Sequence, residues 1–158
     1  MIERKGDIWD FYYEAKWIVI TTNIGWKKDG TNPMGAGIAK QAADMFPDLP
    51  EWYGERCRKY GSNTAVAAYD PARFFLFPTK PLDEDKPWMS WQSMSSIALI
   101  KRSAKQLVAL VNILNERNYF INQIGIPLVG CENGGLRPKD VLPVLHEILD
   151  HRFTLFSK

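Results

Sequence analysis

Residues 17–45 read Trp17-Ile-Val-Ile-Thr-Thr-Asn-Ile-Gly-Trp-Lys-Lys-Asp-Gly-Thr-Asn-Pro-Met-Gly-Ala-Gly-Ile-Ala-Lys-Gln-Ala-Ala-Asp-Met45. The first six residues, Trp17 to Thr22, are apolar or β-branched, the pattern of a short strand buried on both faces. Asn23 ends that strand, and a polar, glycine-bearing loop runs from Ile24 to Pro33. Met34 to Met45 then reads as a glycine-rich turn feeding a helix, which stops before Pro47. A buried strand passing through glycines into a helix is the unit from which α/β folds are built.

Outward from this stretch the same alternation continues. Pro50 to Tyr60 reads as an amphipathic helix with Gly61 at its C-terminal cap. Thr64 to Tyr69 and Arg73 to Pro78 read as strands joined at Asp70-Pro71, and Thr79 to Trp91 as irregular chain with the acidic patch Asp83-Glu84-Asp85. Met94, Ile97, Lys101, Ala104, Val108, Val111 and Leu114 mark one stripe at helical spacing. Tyr119 to Val129 reads as a second apolar strand running into another glycine-rich loop, Gly130-Cys-Glu-Asn-Gly-Gly-Leu136. Pro138 to Leu149 is the last helix, whose Pro143 calls for a start near Asp140, and Phe153 to Phe156 closes the chain as a strand. The expected fold is an α/β class, three-layer α/β/α sandwich around a mixed, largely parallel sheet, one domain over residues 1–158.

Composition narrows the function classes. Of the 158 residues, 46% are hydrophobic and 24% charged, which fits a globular chain and excludes a disordered one. No apolar run approaches the roughly 20 residues of a membrane helix, and the N-terminus lacks a signal's apolar stretch, so a cytoplasmic protein with no membrane contact is expected. Twenty basic residues against 18 acidic ones give no global field for a nucleic-acid backbone, so no sequence-specific nucleic-acid binding is expected. The two cysteines, Cys57 and Cys131, make neither a disulfide framework nor a metal cage. No cluster at ligand spacing implies a metal, and no cofactor is implied.

In a parallel sheet, ligands sit where strand ends meet helix N-termini, and both glycine-rich loops occupy that position. Glycine lets a ligand approach the backbone closely, and a helix N-terminus adds partial positive charge that favours phosphate. Two such loops suit a diphosphate, although each alone also reads as an ordinary turn. No Gly-x-x-x-x-Gly-Lys-Ser/Thr motif is present, and Gly35-Ala-Gly37 lacks the third glycine of the dinucleotide fingerprint.

These fragments together resemble the macro domain family, whose members bind ADP-ribose. Gly6-Asp7-Ile8 resembles its N-terminal signature, whose aspartate accepts from the adenine amino group. Thr21-Thr22-Asn23 resembles the end of its central strand, where an asparagine contacts the distal ribose. Met34-Gly35-Ala36-Gly37-Ile38-Ala39 is similar to its first phosphate loop. Gly130, Cys131, Glu132, Asn133, Gly134, Gly135 and Leu136 are similar to its second. By this resemblance, Asp7 and Ile8 take adenine, the two loops take the diphosphate, and Asn23 takes the distal ribose. Asp7 also suits a plain turn and Asn23 a strand terminator.

The short Met-Gly-x-Gly-Ile-Ala loop resembles one branch of the family, the terminal ADP-ribose protein glycohydrolase and the bacterial DNA ADP-ribosyl glycohydrolase antitoxin. In that branch a lysine just after a strand ending in Thr acts on the anomeric carbon, and Phe77-Pro-Thr-Lys80 matches its position. A partly buried lysine loses its proton more readily and becomes a nucleophile able to form a Schiff base. The resemblance therefore implies a hydrolase with Lys80 catalytic, acting as a monomer on an ADP-ribosylated protein or DNA. Gly134 stands where the protein glycohydrolase has an aspartate, which leaves open a non-catalytic reader of ADP-ribose. Phe46-Pro-Asp and Glu55 to Asn63 resemble the ADP-ribose-1''-phosphate phosphatases, but the histidine those enzymes use has no counterpart after Thr22.

Overall fold

The computed structural model describes residues 1–157. Six strands form one sheet in the order β1-β6-β5-β2-β4-β3. They are β1 (Ile2–Lys5), β2 (Trp17–Asn23), β3 (Ala67–Tyr69), β4 (Phe74–Lys80), β5 (Ile124–Pro127) and β6 (Phe153–Ser157). Only β3 runs antiparallel, on the outer side of β4. The helices are α1 (Ile8–Tyr13), α2 (Gly37–Met45), α3 (Leu49–Tyr60), α4 (Ile97–Glu116) and α5 (Pro138–Ile148). The expected mixed, largely parallel α/β/α sandwich is the architecture found.

Strand alternation divides the core into two layers. Ile18 and Ile20 of β2 and Phe74 and Leu76 of β4 pack with α1, α2 and α3. Trp17, Val19, Phe75 and Phe77 face the other way, onto α4 and α5. Burying one such side chain contributes roughly 1.5–3 kcal/mol, so these central strands are held firmly from both faces. The chain leaving β2 crosses to the α2–α3 face, whereas the chains leaving β4 and β5 cross to the α4–α5 face. The polypeptide thus parts above the carboxyl end of β2, the geometry that opens a crevice in an α/β sheet.

Several boundaries differ from the sequence expectation for local reasons. The run from Tyr119 to Val129 is strand only at Ile124–Pro127. Asn118 and Phe120 take positive φ (67° and 57°), and the Asn115 amide clasps both backbone groups of Ile121. The strand expected over Thr64 to Tyr69 shortens to Ala67–Tyr69 because the Val66 amide donates to Gln106 Oε1 instead. The buried stripe of α4 is Leu99, Ile100, Ser103, Ala104, Leu107, Val111 and Leu114; Met94 precedes the helix and is 67% exposed. Helix α5 begins at Pro138 rather than near Asp140, so Pro143 lies inside it and one backbone bond is forgone. Ile2–Lys5 and Ile8–Tyr13 add a strand and a short helix. Asp7 caps that helix by accepting from the Trp9 amide at 2.9 Å.

Candidate functional site

The crevice above β2 is a cavity of about 960 Å³, near the upper end of the roughly 300–1,000 Å³ of small-molecule sites. Its floor is the end of β2, with Thr21, Thr22 and Asn23, and the end of β4, with Thr79 and Lys80. One wall is Met34 to Ala39, the opposite wall Gly130 to Gly134, so the two glycine-rich loops face each other across one space.

Each wall offers backbone donors. No side-chain oxygen caps α2, because Ala36 occupies the capping position, and the amides of its first turn have no intrahelical acceptor. Gly37 sits at φ 57°, a left-handed conformation that favours glycine, so the loop turns directly into the helix. In the second loop the Leu136 amide closes the turn onto the Gly130 carbonyl at 3.0 Å, with Gly130 at φ 76°. The amides of Cys131, Asn133 and Gly134 donate to no backbone carbonyl among the described residues. Successive N–H groups left without a backbone acceptor in a turn can form a concavity for anions. Gly135, Leu136 and the start of α5 stand behind this wall, outside the lining.

Asn23 is buried and held by its own loop. Its Oδ1 accepts from the Gly25 amide at 3.0 Å and from Asn32 Nδ2 at 3.3 Å, and its Nδ2 donates to the Pro33 carbonyl at 2.9 Å. One N–H of that amide remains for a ligand. Thr22 beside it shares a 2.8 Å hydrogen bond with the fully buried Tyr53 hydroxyl.

Lys80 ends β4 with its amine donating to the Trp91 carbonyl at 2.7 Å. Burial moves its pKa below the usual lysine value. That carbonyl belongs to a 3-10 turn, Pro87–Gln92, pinned where Ser90 Oγ accepts from the Asp83 amide and donates to the Pro87 carbonyl. Gly134 packs so tightly that a Cβ there would lie 2.1 Å from Ser95 Oγ and 2.4 Å from the Gly130 carbonyl oxygen. The wall therefore has no room for a carboxylate at 134. Burial and the neighbouring Glu132 charge push the Cys131 thiol up, away from the thiolate a nucleophile needs.

Asp7 and Ile8 do not line the cavity. They follow β1, on the same carboxyl edge as Asn23 but three strands away, about 14 Å at the usual strand spacing. Ile8 is spent mainly on packing, with its Cγ1 3.1 Å from where a Cβ at Gly125 would stand. Asn32, Gln92 and Ser95 line the cavity without having been singled out in the sequence as ligand contacts. They come from loops that only tertiary packing brings together, and no local pattern marks them.

Neither a protein-family model nor a curated protein matches the chain by sequence. Solved structures do. The macrodomain of Thermus aquaticus DarG is 25% identical, with a TM-score of 0.72 over 99% of this chain and 97% of that one. The chain has the macro domain fold. The macrodomain of Mycobacterium tuberculosis DarG is similar in fold at 22% identity, again with a TM-score of 0.72 over 99% and 97% of the two chains. A Thermosipho africanus DarTG solved in complex with ADP-ribose is 24% identical, with a TM-score of 0.60. That match covers 89% of this chain and 37% of the longer one.

Proposed function

We propose that this macro domain binds ADP-ribose in the 960 Å³ cavity and releases it from a macromolecule through Lys80. The observation that carries the reading is the meeting of three features in one cavity: two opposed glycine-rich loops, a buried asparagine, and an amine with a lowered pKa. The loops hold the diphosphate through backbone N–H groups and the α2 N-terminus. Asn23 orients the distal ribose over Lys80. Adenine extends past the second loop along the strand ends to Asp7, which keeps acceptor capacity beyond its bond to the Trp9 amide. The solved ADP-ribose complex of a similar fold supports the ligand.

For release, the unprotonated Lys80 amine attacks the anomeric carbon of the distal ribose. The bond to the carrier breaks, and the carrier leaves with the electron pair and takes up a proton. Ring opening gives a protonated Schiff base, which water hydrolyses to free ADP-ribose and the regenerated amine. The sum is conjugate plus water, with no redox step. Calorimetry with ADP-ribose beside AMP and NAD tests the ligand; selective binding of ADP-ribose is expected. Incubation with ADP-ribosylated DNA and with a glutamate conjugate tests the chemistry. Release that Lys80→Ala abolishes, with ADP-ribose affinity kept, is the expected result. No release from either conjugate establishes the second reading, a reader without hydrolysis, which the missing room for a carboxylate at Gly134 favours.

A further inference from the structure

A second cavity of about 310 Å³ opens between the turn at residues 26–30, the side of α3 and the Pro87–Gln92 turn. Lys27 belongs to both cavities, whereas Lys28, Arg58 and Trp88 line only the smaller one. We propose that this second cavity is a binding site for a phosphorylated nucleoside, separate from the site between the glycine-rich loops.

Its electrostatics favour an anion. Lys27, Lys28 and Arg58 converge on it, and no carboxylate lies within ion-pairing distance of any of them among the described residues. Asp29, the one acid in the lining, stays charged, held by the Thr31 amide at 3.0 Å and the Thr31 hydroxyl at 2.7 Å and acting on Lys27, so three cations stand against one carboxylate. Charge alone would accept any anion. Two indoles in the same lining, Trp26 and the 44% exposed Trp88, add flat apolar faces on which a planar ring stacks. Cations interleaved with aromatic faces match phosphate joined to a base better than they match an acidic peptide. The volume is at the lower end for small-molecule sites, enough for one nucleotide unit.

The cavity is also preorganised. The turn is closed by the Lys27 amide on the Thr31 carbonyl at 2.8 Å and the Gly30 amide on the Lys27 carbonyl at 2.9 Å. It seats on α3 where Gly54 has no side chain; a Cβ there would lie 2.1 Å from the Gly30 carbonyl oxygen. The Arg58 guanidinium in turn rests against Gly30, its Cζ 3.0 Å from where a Cβ would stand. Trp88 is fixed from the other side by the turn that docks on Gly25. The backbone that carries these side chains is thus ordered before a ligand arrives.

The test uses the full chain and calorimetry with cytidine 5'-monophosphate, cytidine and inorganic phosphate, with and without saturating ADP-ribose. CMP is expected to bind roughly tenfold tighter than either fragment, with its heat kept when ADP-ribose is present. Trp88→Ala and Arg58→Ala are each expected to weaken CMP and leave ADP-ribose affinity unchanged. A single-stranded octadeoxycytidylate separates two sources of the same chemistry. Binding tighter than CMP indicates a strand, equal binding a free nucleotide, and either supports the site. The shift of the Trp88 indole N–H in the NMR spectrum on adding CMP to the unmodified protein gives a readout independent of the variants. The proposal is overturned if phosphate or a tetraglutamate peptide binds as well as CMP, if ADP-ribose abolishes the CMP heat, or if the Trp88 signal does not move. CMP binding by a protein that ignores ADP-ribose would sink the proposed function and keep this site.

Discussion

Asn23 and Lys80 stand opposite each other at the carboxyl ends of β2 and β4, and the pairing reaches them only by skipping a residue. Thr22 pairs with Pro78 and Asn23 with Lys80, so Thr79 bulges out of register. The Thr79 hydroxyl donates to the Thr22 carbonyl at 3.3 Å, and its own carbonyl accepts from the Ser96 amide at 3.0 Å. A bulge at a strand end re-aims the side chain that follows, here the amine held under the Trp91 carbonyl. The amide proposed to orient the ribose and the amine proposed to attack it are thus set by one irregularity between two neighbouring strands.

Lys80 sets the expected pH dependence. Its pKa lies below the usual lysine value of 10.5 because burial disfavours the charged form. The proposed nucleophile is the neutral amine, so turnover should rise with pH along a limb centred below that of a free lysine. In stability the sign is the same. Between the lowered folded value and the unfolded one the native state binds fewer protons, so stability rises with pH across that window. Lys80→Arg should abolish release across the whole range while ADP-ribose affinity changes only a few-fold, as read by single-turnover assays and calorimetry at each pH. An unshifted lysine limb in the pH profile would count against the mechanism.

The parts of this site that the sequence made legible are those carried by backbone chemistry. Trp17–Thr22 could only be a strand buried on both faces, and glycines at 35, 37, 130 and 134 announce close backbone approach. Lys80 was singled out only by the resemblance of Phe77-Pro-Thr-Lys80 to a family motif, and the strand expected to stop at Pro78 runs on to include it. What escaped is what tertiary contact creates. β1 carries Glu3, Arg4 and Lys5 and is exposed throughout, so no apolar pattern reveals it. The chain from 119 to 123 looks like a strand because Tyr119, Phe120 and Ile121 are apolar, yet Phe120 is 79% exposed and only Ile121 is buried. Ser95 reaches the cavity because its amide bonds the Gly134 carbonyl at 2.9 Å, a contact between distant segments.

Gly134 is expected to resist replacement. A Cβ at that position meets Ser95 Oγ and the Gly130 carbonyl, and the backbone oxygen cannot swing aside as a flexible side chain would. Gly134→Ala should cost about 1–3 kcal/mol of stability, the usual range for overpacking, and weaken ADP-ribose binding by distorting the second loop. Gly134→Asp should give no gain in turnover despite supplying a carboxylate. Thermal denaturation with parallel calorimetry checks both, and a faster Gly134→Asp enzyme would contradict the packing argument.

The two thiols should take no part in chemistry. Burial pushes Cys57 up to about 12, and Cys131 is raised by burial and by Glu132. Iodoacetamide at neutral pH should label Cys131 slowly and Cys57 only on unfolding, with the Cys131 rate rising as pH rises. Cys131→Ser should keep both ADP-ribose affinity and release, measured against the unmodified protein. Rapid labelling of Cys131 near pH 7 would mean that its surroundings stabilise the thiolate after all.

Gly25 tests how the amine is held in place. It lies two residues beyond Asn23, and a Cβ there would sit 2.1 Å from the Pro87 carbonyl oxygen and 2.6 Å from Ser90 Oγ. The Pro87–Gln92 turn can approach β2 only because this position has no side chain, and the turn carries the carbonyl that takes the Lys80 amine. Gly25→Ala should push the turn outward and free the amine from Trp91. The strands of the sheet are anchored by both core layers, so the fold should persist with a loss of about 1–3 kcal/mol. Release should fall more than ADP-ribose affinity, because Gly25 lies in neither of the loops proposed to take the diphosphate, although its amide does hold Asn23. With the amine more exposed to water, the pH limb should move up toward that of a free lysine. Ser90→Ala, which removes the hydroxyl joining Asp83 to Pro87 without adding bulk, should shift the limb in the same direction by less. If both variants lower release and leave the limb where it was, the turn supports the fold and does not tune Lys80.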